Sequence, residues 1–109
     1  MHLSSLQAFE KLRQSGHLFT ELFRHGSLTV EIYKPSRVDF QQPHPRDELY
    51  VIISGSGEFY HEGVVSRFHP GDAIFVNAGH EHRFVNFSED FSTWVFFFGP
   101  NGGESNMND

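Results

Sequence analysis

The sequence predicts an all-β domain, a sandwich or a closed barrel, introduced by one short helix. Three observations point there. After Gly16 the first clear apolar pattern repeats at every second position rather than every third or fourth. The strand-like runs are short, and nearly all of them stop at Gly, Pro or Asn in a turn pattern. Large apolar side chains are abundant, with 13 Phe, 3 Tyr and a Trp, and a chain of 109 residues has room for one core but not two.

The helix comes first. Ser4 or Ser5 can cap it, Gln7 stands three residues after Ser4 as a capping box requires, and Leu6, Phe9 and Leu12 give it an apolar side. The barrel is expected over residues 18–100. Leu28, Val30 and Ile32 alternate with Thr29, Glu31 and Tyr33 between Gly26 and Pro35. Residues 50–53 form an apolar run closed by Gly55-Ser56-Gly57, and residues 59–61 run into Glu62-Gly63, which reads as one hairpin or two. Pro70-Gly71-Asp72 turns the chain into a strand at 73–76, Asn77-Ala78-Gly79 turns it again into 82–87, and 93–98 is the last strand. Bulky groups on both sides of residues 94–98 require cover on both faces, from the N-terminal helix or from a second subunit. Residues 101–109 have almost nothing apolar to offset their ordering entropy and are expected to form a mobile polar tail to a single domain, 1–109.

Charge and composition exclude several functions. The formal net charge is −6 and the eight Lys and Arg stand singly, so there is no positive stripe for nucleic acid or an anionic membrane. No stretch approaches the roughly 20 apolar residues that span a bilayer, and the first ten residues lack a basic, apolar leader pattern, so a cytoplasmic protein is expected. With no Cys and eight His, any metal chemistry falls to imidazole and carboxylate ligands.

Side chains alternate along a strand, so Glu48 shares a face with Tyr50 and Ile52, and His82 shares one with His80, Phe84 and Asn86. A carboxylate and an imidazole can then meet inside a barrel. His44 lies between Pro43 and Pro45, which force an extended or kinked approach that can aim it at the same point. Two imidazoles and a carboxylate suit one divalent ion: Fe, Mn, Zn, Ni or Co. Competing roles remain for each residue. Glu48 can pair with Arg46, Arg67 or Arg83, and His82 can be satisfied by a backbone carbonyl. Tyr50 and Phe84, with Ala73 and Phe75, either line a pocket or fill the core. His80 follows Gly79 in a turn and suits the mouth of a pocket. Asp47 points away from Glu48 and suits an Arg pair or a turn cap.

The segments PHPRDELYVIISGSG and PGDAIFVNAGHEHRFVN resemble the two sequence motifs of the cupin superfamily, in register over about residues 28–98. In the first motif the slots for two His, a Glu and a Gly hold Gln42, His44, Glu48 and Gly55, and Ser36 stands for the opening Gly. In the second, Gly71, Asn77, Gly79, His82 and Asn86 occupy the slots, with Asn77 replacing Pro. The chain is most similar to the small single-domain bacterial cupins. That resemblance implies a jelly-roll barrel, metal ligation by His44, Glu48 and His82, and Gln42 as a fourth ligand or an orienting group. It implies a small-molecule ligand or substrate and a homodimer. The expected activity is that of a metal-dependent enzyme, dioxygenase-like or an isomerase or lyase. The alternatives are a metal-anchored binding pocket without turnover and a metal-free structural barrel.

Overall fold

The computed structural model describes residues 1–105. Helix α1 spans Ser5–Ser15, and the strands are β1 (Phe19–His25), β2 (Leu28–Tyr33), β3 (Asp47–Ser54), β4 (Gly57–His61), β5 (Val64–Phe68), β6 (Ala73–Val76), β7 (His82–Val85) and β8 (Ser92–Phe98). The helix starts as the sequence predicts. The Ser4 hydroxyl accepts from the Gln7 N–H, the Ser4 N–H donates to the Gln7 amide oxygen, and Gly16 closes the last turn with a left-handed backbone. The buried face includes two of the three expected residues. Ala8 and Leu12 are buried and Phe9 is partly covered, whereas Leu6 is 78% exposed because it lies on the opposite side of the helix from Ala8.

The strands pair antiparallel in two sheets, β1-β2-β8-β3-β6 and β5-β4-β7, the two-sheet form of a jelly roll. Between them lies a core of Tyr50, Ile52, Phe59, Phe68, Val76, Phe84, Phe91 and Val95. Strand β8 is the spine of the larger sheet, pairing with β2 on one side and β3 on the other. Its inward residues Thr93, Val95 and Phe97 lie opposite Ile52, Tyr50 and Glu48 of β3. Its outward residues Trp94 and Phe96 join Val30 and Ile32 in a second cluster beneath α1. The helix, packed on β1 and β2, therefore covers part of this outer face, around Trp94 and Phe96, and does not extend over Phe98. Strand β1 carries a bulge between Glu21 and Phe23, which lets Leu22 enter this outer cluster.

The end of the described chain is tied down. The Gly102 N–H donates to the Pro45 carbonyl at 2.7 Å and the Glu104 N–H to Asp47 Oδ2 at 2.8 Å, so the start of the predicted tail is fastened to the loop before β3. Residues 106–109 of that tail lie outside the described residues.

Gly55 turns the chain from β3 toward β4 at φ 81°, and a Cβ there would stand 2.5 Å from the Phe91 Cα. Neither the backbone angle nor the space admits a side chain. Gly55→Ala is expected to destabilise the fold by about 3 kcal/mol, read as a lower urea midpoint with an unchanged slope.

Candidate metal centre

The first two residues of β3 divide their tasks by strand parity. Asp47 is turned from the interior, where its carboxylate caps two backbone N–H groups, those of Ala78 and Glu104. Glu48 points into the barrel and is 1% exposed. Across the interior, His82 opens β7 in the smaller sheet and is equally buried. His44 arrives from the loop between β2 and β3. Its carbonyl accepts from the Gly79 N–H at 2.7 Å, and its ring stands edge-on to Phe97 with centroids 5.1 Å apart. These elements bring one ligand atom each from His44, Glu48 and His82 within 4.8 Å of one another. His82 Nε2 is 2.8 Å and His44 Nε2 3.9 Å from Glu48 Oε1.

A carboxylate buried this deeply needs a cation or donors, yet neither Glu48 oxygen accepts a hydrogen bond among the described residues. The competing arginines do not reach it. Arg46 donates to the Gly99 carbonyl, Arg83 pairs with Glu81 over the Tyr60 ring, and Arg67 is exposed. His82 Nδ1 stands 2.9 Å from the His80 carbonyl and can only donate to it, so the neutral ring turns the Nε2 lone pair toward Glu48. Two lone pairs at 2.8 Å are held together by a cation between them, either a proton or a metal. Burial disfavours charge on His82, but the contact with Glu48 and the His80 carbonyl outweigh it and raise its pKa above the usual 6.5. Burial lowers that of His44, aided by His82 and opposed by Glu48. The donor set, two imidazole nitrogens and a carboxylate, fits a first-row divalent ion.

The other sequence-predicted residues are placed unequally. The Tyr50 hydroxyl is at the centre, donating to Gln41 Oε1 at 2.9 Å and lying 3.1 Å from His82 Nε2; burial first, and Glu48 second, push its pKa well above 10. Gln42 is exposed, and its neighbour Gln41 is the amide at the site, with Oε1 3.1 Å from His44 Nε2. Phe84 is core, packed on Tyr50, Phe59 and Phe91 with centroids 4.9, 4.8 and 4.6 Å away. Phe75 is 46% exposed, because the register Glu48↔Val76 turns Val76 and Ile74 inward instead. The His80 ring meets His61 at 2.9 Å, away from Glu48; its carbonyl is what serves the centre.

Asp39 is a residue that sequence reasoning passed over. It is 5% exposed and accepts from the Tyr33 hydroxyl, the Gln41 N–H and amide, and the Phe84 N–H, at 2.6, 3.1, 2.7 and 2.9 Å. By holding the Gln41 –NH₂ it aims the amide oxygen at Tyr50 and His44. The available signal was the alternation of Val38, Asp39, Phe40 and Gln41, a strand-like pattern with the polar residues inward. Beyond His44 a cleft of about 620 Å³ opens between β1, β2, β8 and this loop, lined by Glu31, Tyr33, Phe97 and Gln41 among others.

The Cupin domain family matches residues 29–98, nearly the whole barrel and all three candidate ligands. The chain belongs to the cupin family. An uncharacterised protein of Streptomyces coelicolor is 28% identical over 100 residues, 90% of this cupin and 93% of the relative. Dimethylsulfoniopropionate lyase DddQ of Ruegeria pomeroyi is 33% identical over 70 residues, covering 62% of this chain but 35% of its own length. The crystal structure of DddQ superposes with a TM-score of 0.64 at 29% identity, over 74% of this cupin and 46% of that chain. A Cupin 2 conserved barrel domain protein of Salinispora arenicola has a TM-score of 0.63 at 18% identity over 74% of each chain, a likeness of fold.

The centre sets opposite pH trends with and without metal. Because its folded pKa is lowered, His44 is mostly neutral in the folded protein above pH 6.5, so the folded-state change there belongs to His82. Its folded pKa is raised, so in chelator-treated protein its contribution is full below pH 6.5 and is lost as pH rises through the folded value. A cation needs the neutral ring, so the extra stability that Mn(II) or Zn(II) confers grows over the same window. Thermal melts with chelator and with metal are expected to diverge as pH rises from 6.5, and Glu48→Ala is expected to abolish the divergence and the metal content measured by inductively coupled plasma mass spectrometry.

Proposed function

We propose that this cupin is a metal-dependent enzyme that carries out an elimination on a small molecule with an acid or other oxygen-bearing group, a lyase reaction. The observation that carries this reading is the Tyr50 hydroxyl, buried at the ligand cluster and held by the Gln41 amide. A divalent ion held by His44, Glu48 and His82 supplies Lewis acidity toward a substrate oxygen. The chain's own residues do the rest. Asp39 and Gln41 fix the hydroxyl, Phe97 and Val95 exclude water from the inner cleft, and His44 stands where the cleft meets the centre. The Tyr50 hydroxyl, which burial and Glu48 keep protonated, donates to the substrate's acid oxygen as negative charge builds on it, while the proton on the neighbouring carbon leaves to a base from solvent. The carbon–hydrogen electrons form a double bond, and the leaving group departs with its bonding pair.

Of the reactions open from the sequence, dioxygenation and isomerisation rank behind elimination, because a relative alike in sequence and in structure bears the name of a lyase. A homodimer formed through the outer face, where Phe75 is exposed beside Phe98, belongs to the same proposal, with the cytoplasm as its place of action.

The test offers metal-loaded protein a panel of propionates with a leaving group on carbon 3, dimethylsulfoniopropionate among them, and follows acrylate by proton NMR. Acrylate is expected from the wild type, with kcat lowered about 100-fold or more in Tyr50→Phe at unchanged metal content. Acrylate from none of the panel, or a full rate in Tyr50→Phe, overturns the reading.

A further inference from the structure

Glu31 lies on the inward face of β2, between Thr29 and Tyr33, and is partly buried in the cleft wall. It makes no hydrogen bond or ion pair among the described residues. Arg24, the cation that acts on it, is already paired with Glu21. Burial raises its pKa, and Glu21 and Glu48 add to the effect. A carboxylate left unpartnered in an apolar wall costs stability unless a ligand uses it.

Its surroundings define what that ligand is. Phe19, Tyr33, Phe40 and Phe97 line the same cleft, together with His17 and His44, and no permanently charged Lys or Arg does. Aromatic rings lining one cleft with a carboxylate favour a cation whose hydration is weak enough to lose, which describes an alkylated ammonium or a comparable onium group better than a metal or a primary amine. The placement suits a bridging ligand. Glu31 lies opposite Val95 of β8, and Val95 opposite Tyr50 of β3, so Glu31 and Tyr50 share one row of the sheet, two strand spacings or roughly 10 Å apart. One end of a small molecule can reach the centre while the other rests on Glu31.

We propose that Glu31 is the specificity residue of the cleft, selecting ligands that carry a positively charged alkylated onium group at the end remote from the metal centre. The proposal rests on the metal-centre reading for the ligand's inner end, and its own claim is the charge at the outer end. Both ends therefore need separate readouts.

Trimethylglycine and 3,3-dimethylbutanoate have the same shape and the same carboxylate and differ only in the charge of the head. Titrated calorimetrically into metal-loaded wild type, trimethylglycine is expected to bind about tenfold tighter, the value of one cation–π and ion-pair recognition. In Glu31→Gln that preference is expected to fall to within about threefold, with metal content unchanged and thermal stability equal or higher. Equal binding of the two by the wild type, binding of neither, or a preference that survives in Glu31→Gln overturns the proposal. If the purified and reconstituted protein holds no metal, the metal-centre reading fails, and Glu31 is judged on chelator-treated protein with tetramethylammonium alone. Saturation transfer from protein to the methyl protons in the wild type, lost in Glu31→Gln, sustains the onium subsite; no transfer, or transfer that persists in the variant, overturns it.

Discussion

Everything about this barrel's interior follows from placing the Glu48 carboxylate where water cannot reach it. A charge buried at 1% exposure whose near neighbours are the His82 and His44 rings is tolerable only beside a counter-charge, since the desolvation cost is otherwise several kcal/mol. The fold answers by facing it with His82 from the opposite sheet and His44 from a loop. The His80 carbonyl then fixes which His82 nitrogen faces the carboxylate. The pair of sheets thus works as a clamp: one carries the anion, the other the imidazole, and the aromatic core below keeps their separation constant.

The loop between β2 and β3 performs the finer positioning. It is extended, with Asp39 and Gln41 turned inward and Val38 and Phe40 outward, at 51% and 81% exposure. This reverses the usual order, and the reason is that Asp39 links three elements: Tyr33 at the end of β2, the loop itself and the Phe84 N–H of β7. An apolar residue at 39 would leave those donors unmet. The same inversion leaves Val38 and Phe40 free to line the outer cleft.

Much of this was legible in the sequence where local periodicity governs. The strands at 28–33, 50–53, 73–76 and 93–98 follow from alternation and turns, and Glu48 and Tyr50 share a face because they share a strand. Strand β5 was hidden because four of its five residues are exposed and show no alternation, and β1 because its bulge breaks the period at Leu22. Errors of facing had the same origin. Phe75 was grouped with Tyr50 and Phe84 as pocket or core, but pairing register, which the isolated sequence does not carry, decides that Val76 faces Glu48. Gln42 was chosen by motif position, while backbone direction in an irregular loop selects Gln41. The importance of Asp39 depends on Phe84, 45 residues away, and no local pattern reports such a partner.

The origins of the three candidate ligands along the chain also bear on how the protein is made. His44 precedes β3, Glu48 begins it, and His82 lies beyond the β4–β5 hairpin and β6, so the centre does not exist until the smaller sheet has closed over the larger. A nascent chain released without β7 has no pocket with which to sequester an ion. An ion captured by these three residues would therefore enter only as the two sheets come together or after they have closed, when the supply of ions at that moment acts beside ligand preference.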